Sequence, residues 1–328
     1  MKKRLVAAFL ALFVGSGLYA EVSVFKISRQ HGLGTLPFIV VKERGLIERY
    51  AKEAGLGDIK VEYITLGGGA ATNEALLSGS VHINSNGAAP FIRLWDKTNG
   101  RVKAVSSSGK QVFDLVSSNP KVVSIKDLSD ADKIALPAAK VSIQSLLLQI
   151  ATAREFGIKN HEKFDHLTVT LSSPDALVSL LSGKSEINAH FGSEPFTSAE
   201  LQNPKVHKIL SSADVVSKDA TTSLYSTTQE FYEQNPKLIR AFLKALNEAI
   251  TWIDNNQKAA VDLYIKAEKS KESPELLLSI LEKGNVQFGL KPTGVTVFSD
   301  FLYETGVIKS KPTQKELFFD AVFETDYK

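Results

Sequence analysis

The nonapeptide Leu-Leu-Ser-Gly-Ser-Val-His-Ile-Asn at 76–84 returns as Leu-Leu-Ser-Gly-Lys-Ser-Glu-Ile-Asn at 180–188, and each copy runs on to Gly and then to Pro90-Phe91 or Pro195-Phe196. The surroundings repeat as well. In the first copy a strand at 22–28 leads through Arg-Gln-His-Gly-Leu-Gly-Thr to a helix opening at Leu36-Pro37, where proline suits the first turn. A strand at 60–66, a triple-glycine turn at 67–69, a helix, a strand at 81–84, a loop and a helix from Pro90 follow. The second copy runs strand 133–138, helix 143–158, strand 167–171, a turn, a helix, strand 185–188, a loop and a helix from Pro195. Period-two and period-3.6 patterns alternate throughout, which predicts an α/β fold with a mostly parallel sheet in each copy. A matched order of elements around a matched peptide is an internal duplication, so the chain is read as two lobes of similar build.

The boundaries follow. Residues 21–110 make the first lobe and 111–222 the second, with 102–118 as a β-rich crossover. Residues 223–328 hold the return crossover at 223–228 and C-terminal helices that pack mainly on the first lobe. In the helix that follows, Leu238, Ile239, Phe242, Leu246, Ile250 and Ile253 form one apolar stripe, a core face. Residues 1–20 stand apart. Lys2, Lys3 and Arg4 precede an apolar run from Leu5 to Val14 and small residues up to Ala20, the order of a cleaved secretory leader. Without its three cations, the 39 Lys and Arg become 36, against 36 Asp and Glu. A chain of zero formal charge gives no reason to expect a nucleic-acid partner. Cysteine is absent, which excludes thiol chemistry and a lipid-anchor cysteine, so a soluble exported protein of the periplasm is expected.

Ligands of open α/β sheets sit where strands end and helices begin, beside unpaired N–H groups. In the first lobe those loops hold His31, Gly34, Thr35, Gly68, Gly69, Asn86, Gly87 and Ala88. In the second they hold Ser142, Gln144, His190, Phe191 and Glu194. If the lobes face each other, these loops line one cleft. The glycines allow backbone amides to approach a ligand, and the duplication becomes two half-sites for one molecule. Enzyme motifs fail on inspection. The stretch 182–186 resembles the end of a phosphate-binding loop but has Val178 where that loop needs Gly, and 32–37 has Pro37 where a dinucleotide fingerprint needs its third Gly. His161 and His166 lie in one connecting loop with no third distant ligand, so neither a metal nor another cofactor is expected.

Read together, "GTLPFIVVKERGLIE", "EALLSGSVHINSNGAAPF", "VVSIKDLSDADKIALPAAKVSIQSLLL", "SPDALVSLLSGKSEINAHFGSEPF" and "STTQEFYEQNPKLIRAFLKALNEAITWI" resemble the periplasmic substrate-binding proteins of the nitrate/sulfonate/taurine and thiamine-precursor (NMT1/THI5-like) group of ABC importers. The resemblance covers nearly all of the chain after the leader. It implies a two-lobed periplasmic binding protein fold of type II with two crossover strands, a monomer that closes on a small molecule by hinge bending and delivers it to a membrane permease. Gly192-Ser193 departs from the group, many of whose members carry an aromatic before the acid. Three readings stay open: a small anion held by backbone amides; a pyrimidine or similar heterocycle held by Glu194 and stacked on aromatics; and an exported enzyme using His190 with Glu194.

Overall fold

The structure, a computed structural model, describes residues 21–320 and 322; the expected leader lies outside the described residues. The chain begins with β1 (Val24–Arg29), β2 (Lys60–Thr65), β3 (Asn84–Gly87) and β4 (Val102–Gln111). It then crosses through Val112 and Phe113 to β5 (Asp114–Ser117), β6 (Ile134–Leu136), β7 (Thr168–Thr170), β8 (Ala189–Gly192) and β9 (His207–Ser211). It returns as β10 (Ser223–Thr228) and adds β11 (Val286–Phe288).

Spatial order exposes the duplication. β1 and β2 pair in parallel, and an Ile27–Ile83 bridge joins them to the set β3–β10–β4–β11. The first sheet therefore reads β2–β1–β3–β10–β4–β11, and the second reads β7–β6–β8–β5–β9. Strand for strand, the first five positions of the one match the five of the other. Among the five matched strands of each lobe the fourth is the reversed one, antiparallel to both neighbours, and in the first lobe the added β11 is reversed as well. The fourth strand is supplied by a crossover: β10 comes back from the second lobe, and β5 has just left the first. In the matched five strands of each lobe, four running one way around one reversed strand make the mostly parallel sheet that the alternating pattern predicts.

The repeated Leu-Leu-Ser-Gly ends a helix in both places. Leu76 and Leu180 are each 3% exposed, whereas Leu77 and Leu181 face out at 47% and 39%. The helices Gly69–Leu77 and Ser173–Ser182 stop at Gly79 and Gly183, whose φ of 73° and 60° lie in the left-handed region where a side chain would be strained. Two strands fall later than the pattern suggests. The expected strands 81–84 and 185–188 are followed, in place of loops, by β3 and β8. Asn-Ser-Asn-Gly and Ala-His-Phe-Gly show no apolar alternation because both strands are covered on two faces, one side by polar partners.

Two apolar clusters hold the fold. One gathers β1, the helix Leu36–Glu43 and the stripe of the helix Pro236–Asn255, in which all six expected core residues are buried. Each such side chain contributes about 1.5–3 kcal/mol. The other cluster runs without a break from the helix Ala88–Lys97 of the first lobe into the helix Ile143–Phe156 of the second, with Phe298 and Leu302 of the helix Thr296–Glu304. The lobes are thus packed together on that side. Among the described residues no helix is long and apolar enough to cross a membrane.

Candidate functional site

Where the lobes meet, a cavity of about 90 Å³ opens at the helix-bearing ends of the strands. The first lobe lines it with Gln30, His31, Gly34, Thr35, Gly67, Ser85, Asn86 and Gly87, and the second with Pro137, Ile143, Gln144, Ser173 and Ser193. The crossover strands close its back with Ser108, Gly109, Lys110, Gln111, Phe113 and Ser223, joined by Gln287 and Phe288 of β11.

Four helices of eight residues or more start here. Thr35 and Gly87 are the N-caps of Leu36–Glu43 and Ala88–Lys97, while Ile143 and Ser173 open Ile143–Phe156 and Ser173–Ser182. Each helix start adds partial positive charge to the cavity. No Asp or Glu lines it among the described residues, and Lys110 is the one permanently charged side chain that does. Lys110 Nζ lies 3.4 Å from Asp219 Oδ1, whose side chain is 71% exposed. A pair this open to solvent holds by at most about 1 kcal/mol, so the ammonium is readily drawn inward.

Of the sequence-predicted residues, His31, Gly34, Thr35, Asn86, Gly87 and Gln144 come together at the cavity. Their hydrogen bonding divides them. Asn86 Nδ2 donates to Asn73 Oδ1 at 2.9 Å and to Gly69 O at 3.2 Å, and its Oδ1 accepts from Gly87 N–H at 2.8 Å. Thr35 Oγ1 donates to Gly32 O. The N–H groups of Thr35 and Ala88 go to Gly32 O and Thr222 O. The backbone amides of Thr35, Gly87 and Ala88, expected to hold the ligand, are therefore engaged inside the protein. Gln144 behaves differently: it is 4% exposed, and its amide makes no hydrogen bond among the described residues. Ser173 and Ser193 hydroxyls are free in the same sense.

Gly68, Gly69, Ala88, Ser142, His190, Phe191 and Glu194 lie outside the lining. Ser142 caps its helix, accepting from Ser145 N–H at 3.2 Å. Gly68 touches the opposite lobe: a Cβ there would lie 2.4 Å from Pro137 O. A Cβ on Gly69 would meet Asn86 Oδ1 at 2.6 Å, so this glycine lets the asparagine network close. Phe191 is wholly buried in the core between the lobes' helices. His190 and Glu200 are both 0% exposed, and His190 Nδ1 is hydrogen-bonded with Glu200 Oε1 at 2.8 Å. Burial pushes the Glu200 carboxyl up, with the His190 ring opposing.

Glu194 is a link between lobes. Its carbonyl accepts from Leu33 N–H and its Oε1 from Asn285 Nδ2, each at 2.9 Å, while Ser198 donates to the same carboxylate. Burial raises its pKa against those bonds, and Asp114 raises it further. Neither Glu194 nor Phe191 is placed to receive a heterocycle, and His190 pairs with Glu200 rather than with Glu194. The residues missed by sequence reasoning are mainly those of the crossover. Lys110 and Gln111 end a strand whose Ser-Ser-Ser-Gly run hides them, and a lone cation between two lobes was the available signal.

The model of the NMT1-like family matches residues 31–265, more than half of the chain. No curated protein sequence matches it. Among solved structures, the alkanesulfonate-binding protein SsuA of Xanthomonas axonopodis pv. citri, bound to MOPS, is similar with TM-score 0.71 and 15% identity, over 92% of this chain and 99% of that one. The nitrate-binding protein NrtA of Synechocystis PCC 6803 gives 0.65 and 15%, over 90% and 84%. A Candida albicans gene product described as having the generic periplasmic binding protein fold gives 0.69 and 16%, over 92% and 94%. At these identities the likeness is one of fold, and it is the two-lobed fold that the duplicated sheets build.

Proposed function

The chain belongs to the NMT1-like family, and from that premise we propose that it is the extracytoplasmic solute-binding component of an ABC importer, a non-enzymatic monomer that closes over a small anion. The observation that carries the reading is the lining: a cavity between two lobes with Lys110, four helix starts and no carboxylate among the described residues. Such a surface stabilises negative charge and gives a cation nothing to pair with. The sulfonate- and nitrate-binding proteins that share the fold agree with it. The leader-like residues 1–20 suit export to the periplasm, with a membrane permease as the receiver.

The division of hydrogen bonds suggests how capture proceeds. The first lobe presents a floor already fixed by Asn73, Asn84 and Asn86, so little order is lost when ligand arrives. Gln144, Ser173 and Ser193 supply free donors from the other lobe, and Lys110 exchanges Asp219 for the ligand. Contacts of Glu194 with Leu33 and Asn285 then hold the lobes together.

Isothermal titration of the leaderless protein with nitrate, ethanesulfonate, acetate and a neutral aminopyrimidine tests the proposal. Binding of at least one anion, with no heat from the pyrimidine, is expected. Binding of the pyrimidine alone contradicts it.

A further inference from the structure

A second cavity, of about 280 Å³, lies wholly within the first lobe between the helices Leu36–Glu43 and Gln257–Glu268. Its walls are apolar and aromatic: Phe38, Ile39, Tyr63 and Leu263 line it, with the rings of Phe38 and Tyr63 5.8 Å apart. Charged groups surround that apolar base. Arg29 is bridged to Glu268, and Lys266 Nζ stands 3.5 Å from Glu43 Oε1. Lys42 also lines the cavity, and its ammonium has no hydrogen-bond or ion-pair partner among the described residues. Three cations thus face two carboxylates.

We propose that this cavity is a second ligand site, separate from the one between the lobes, for a small aromatic carboxylate. The ring of such an acid packs on Phe38, Ile39 and Leu263, and its carboxylate answers the uncompensated charge of Lys42. Neither a cation nor a plain hydrocarbon meets these conditions: the first adds to an excess of positive charge, and the second leaves Lys42 unmatched. The occupant is therefore defined by charge complementarity at the mouth and by aromatic surface beneath it.

Saturation-transfer NMR and titration on the leaderless protein, with benzoate as probe and benzyl alcohol as its neutral counterpart, decide the matter. Benzoate is expected to bind and benzyl alcohol to bind more weakly. Lys42→Gln, an exposed change that leaves the fold intact, is expected to weaken benzoate about fivefold, which corresponds to roughly 1 kcal/mol. Leu263→Trp, which fills the cavity, is expected to abolish benzoate binding, whereas Lys110→Gln in the interlobe cavity leaves it unchanged. The proposal is overturned if benzoate binding survives Lys42→Gln at full strength or disappears with Lys110→Gln. It is equally overturned if no transfer is seen up to about 10 mM benzoate, beyond the range of millimolar sites.

Discussion

β3 and β8 occupy the same place in the two sheets and do opposite things. Asn84-Ser85-Asn86-Gly87 ends at the cavity, held by amide bonds that Asn84 and Asn86 donate to Asn73 Oδ1. Ala189-His190-Phe191-Gly192 is buried along its whole length, with Phe191 in the core and His190 locked to Glu200. A Cβ on Gly192 would lie 2.3 Å from His190 Cε1, so the glycine there admits a ring and not a ligand. Duplication has supplied one frame twice, and the two copies have divided the work: one is a preformed floor, the other a sealed support that brings Gln144, Ser173 and Ser193 over it. The two half-sites expected from the repeat are unequal.

The comparison can be broken at several points. The largest effect is expected from His190→Ala, which strands the Glu200 carboxylate in the interior and lowers stability by about 3–5 kcal/mol in urea unfolding, with anion affinity unchanged. A matching loss of affinity would mean that β8 does meet the ligand. Lys110→Glu is expected to do the reverse. Anion affinity falls by two orders of magnitude or more, about 3 kcal/mol, while the melting temperature of the ligand-free protein stays within a degree or two. Asn86→Ala removes partners of Asn73, Gly69 and Gly87 together, so a stability loss of about 1–3 kcal/mol is expected alongside weaker binding. Gln144→Ala touches no internal bond; a roughly tenfold affinity loss, about 1.4 kcal/mol, with unchanged unfolding is the outcome that titration should give.

The smallest effect is in pH. Burial raises the carboxyls of Glu194 and Glu200, so between their unfolded and folded pKa values the native state binds more protons than the unfolded one. Their contribution to stability is present at the acid end of that window and declines as pH rises through the folded values. Unfolding curves of the wild type and of Glu200→Gln, followed upward from about pH 4.3, should differ in slope in that sense. An opposite slope would place a charged Glu200 at no cost in the core.

Much of this architecture could be read from residues alone, and the parts that could not have physical reasons. Leu-Leu-Ser-Gly marks a helix end because glycine accepts a left-handed φ, and the stripe from Leu238 to Ile253 shows the 3.6-residue period of a buried face. β3 and β8 were hidden because strands covered on both sides lose alternation, and glycine and asparagine imitate a loop. The site was legible as a set of loops but not as a set of free groups. Whether Thr35 and Ala88 amides are available depends on Gly32 O and Thr222 O, the second of which lies more than a hundred residues away. Ser142 looks like a ligand contact and is a cap, for the same hydroxyl chemistry serves both. Lys110 becomes visible only when β4 is known to run up to the crossover.

Central to this account is an anion between the lobes, beside Lys110 and Gln144. Crystals of the leaderless protein grown with selenate, measured at the selenium absorption edge, locate such an ion without assumption about its partners. One anomalous peak is expected within hydrogen-bond reach of Lys110 Nζ and the Gln144 amide. A map whose peaks all lie elsewhere, with the interlobe cavity empty of selenium, would contradict it.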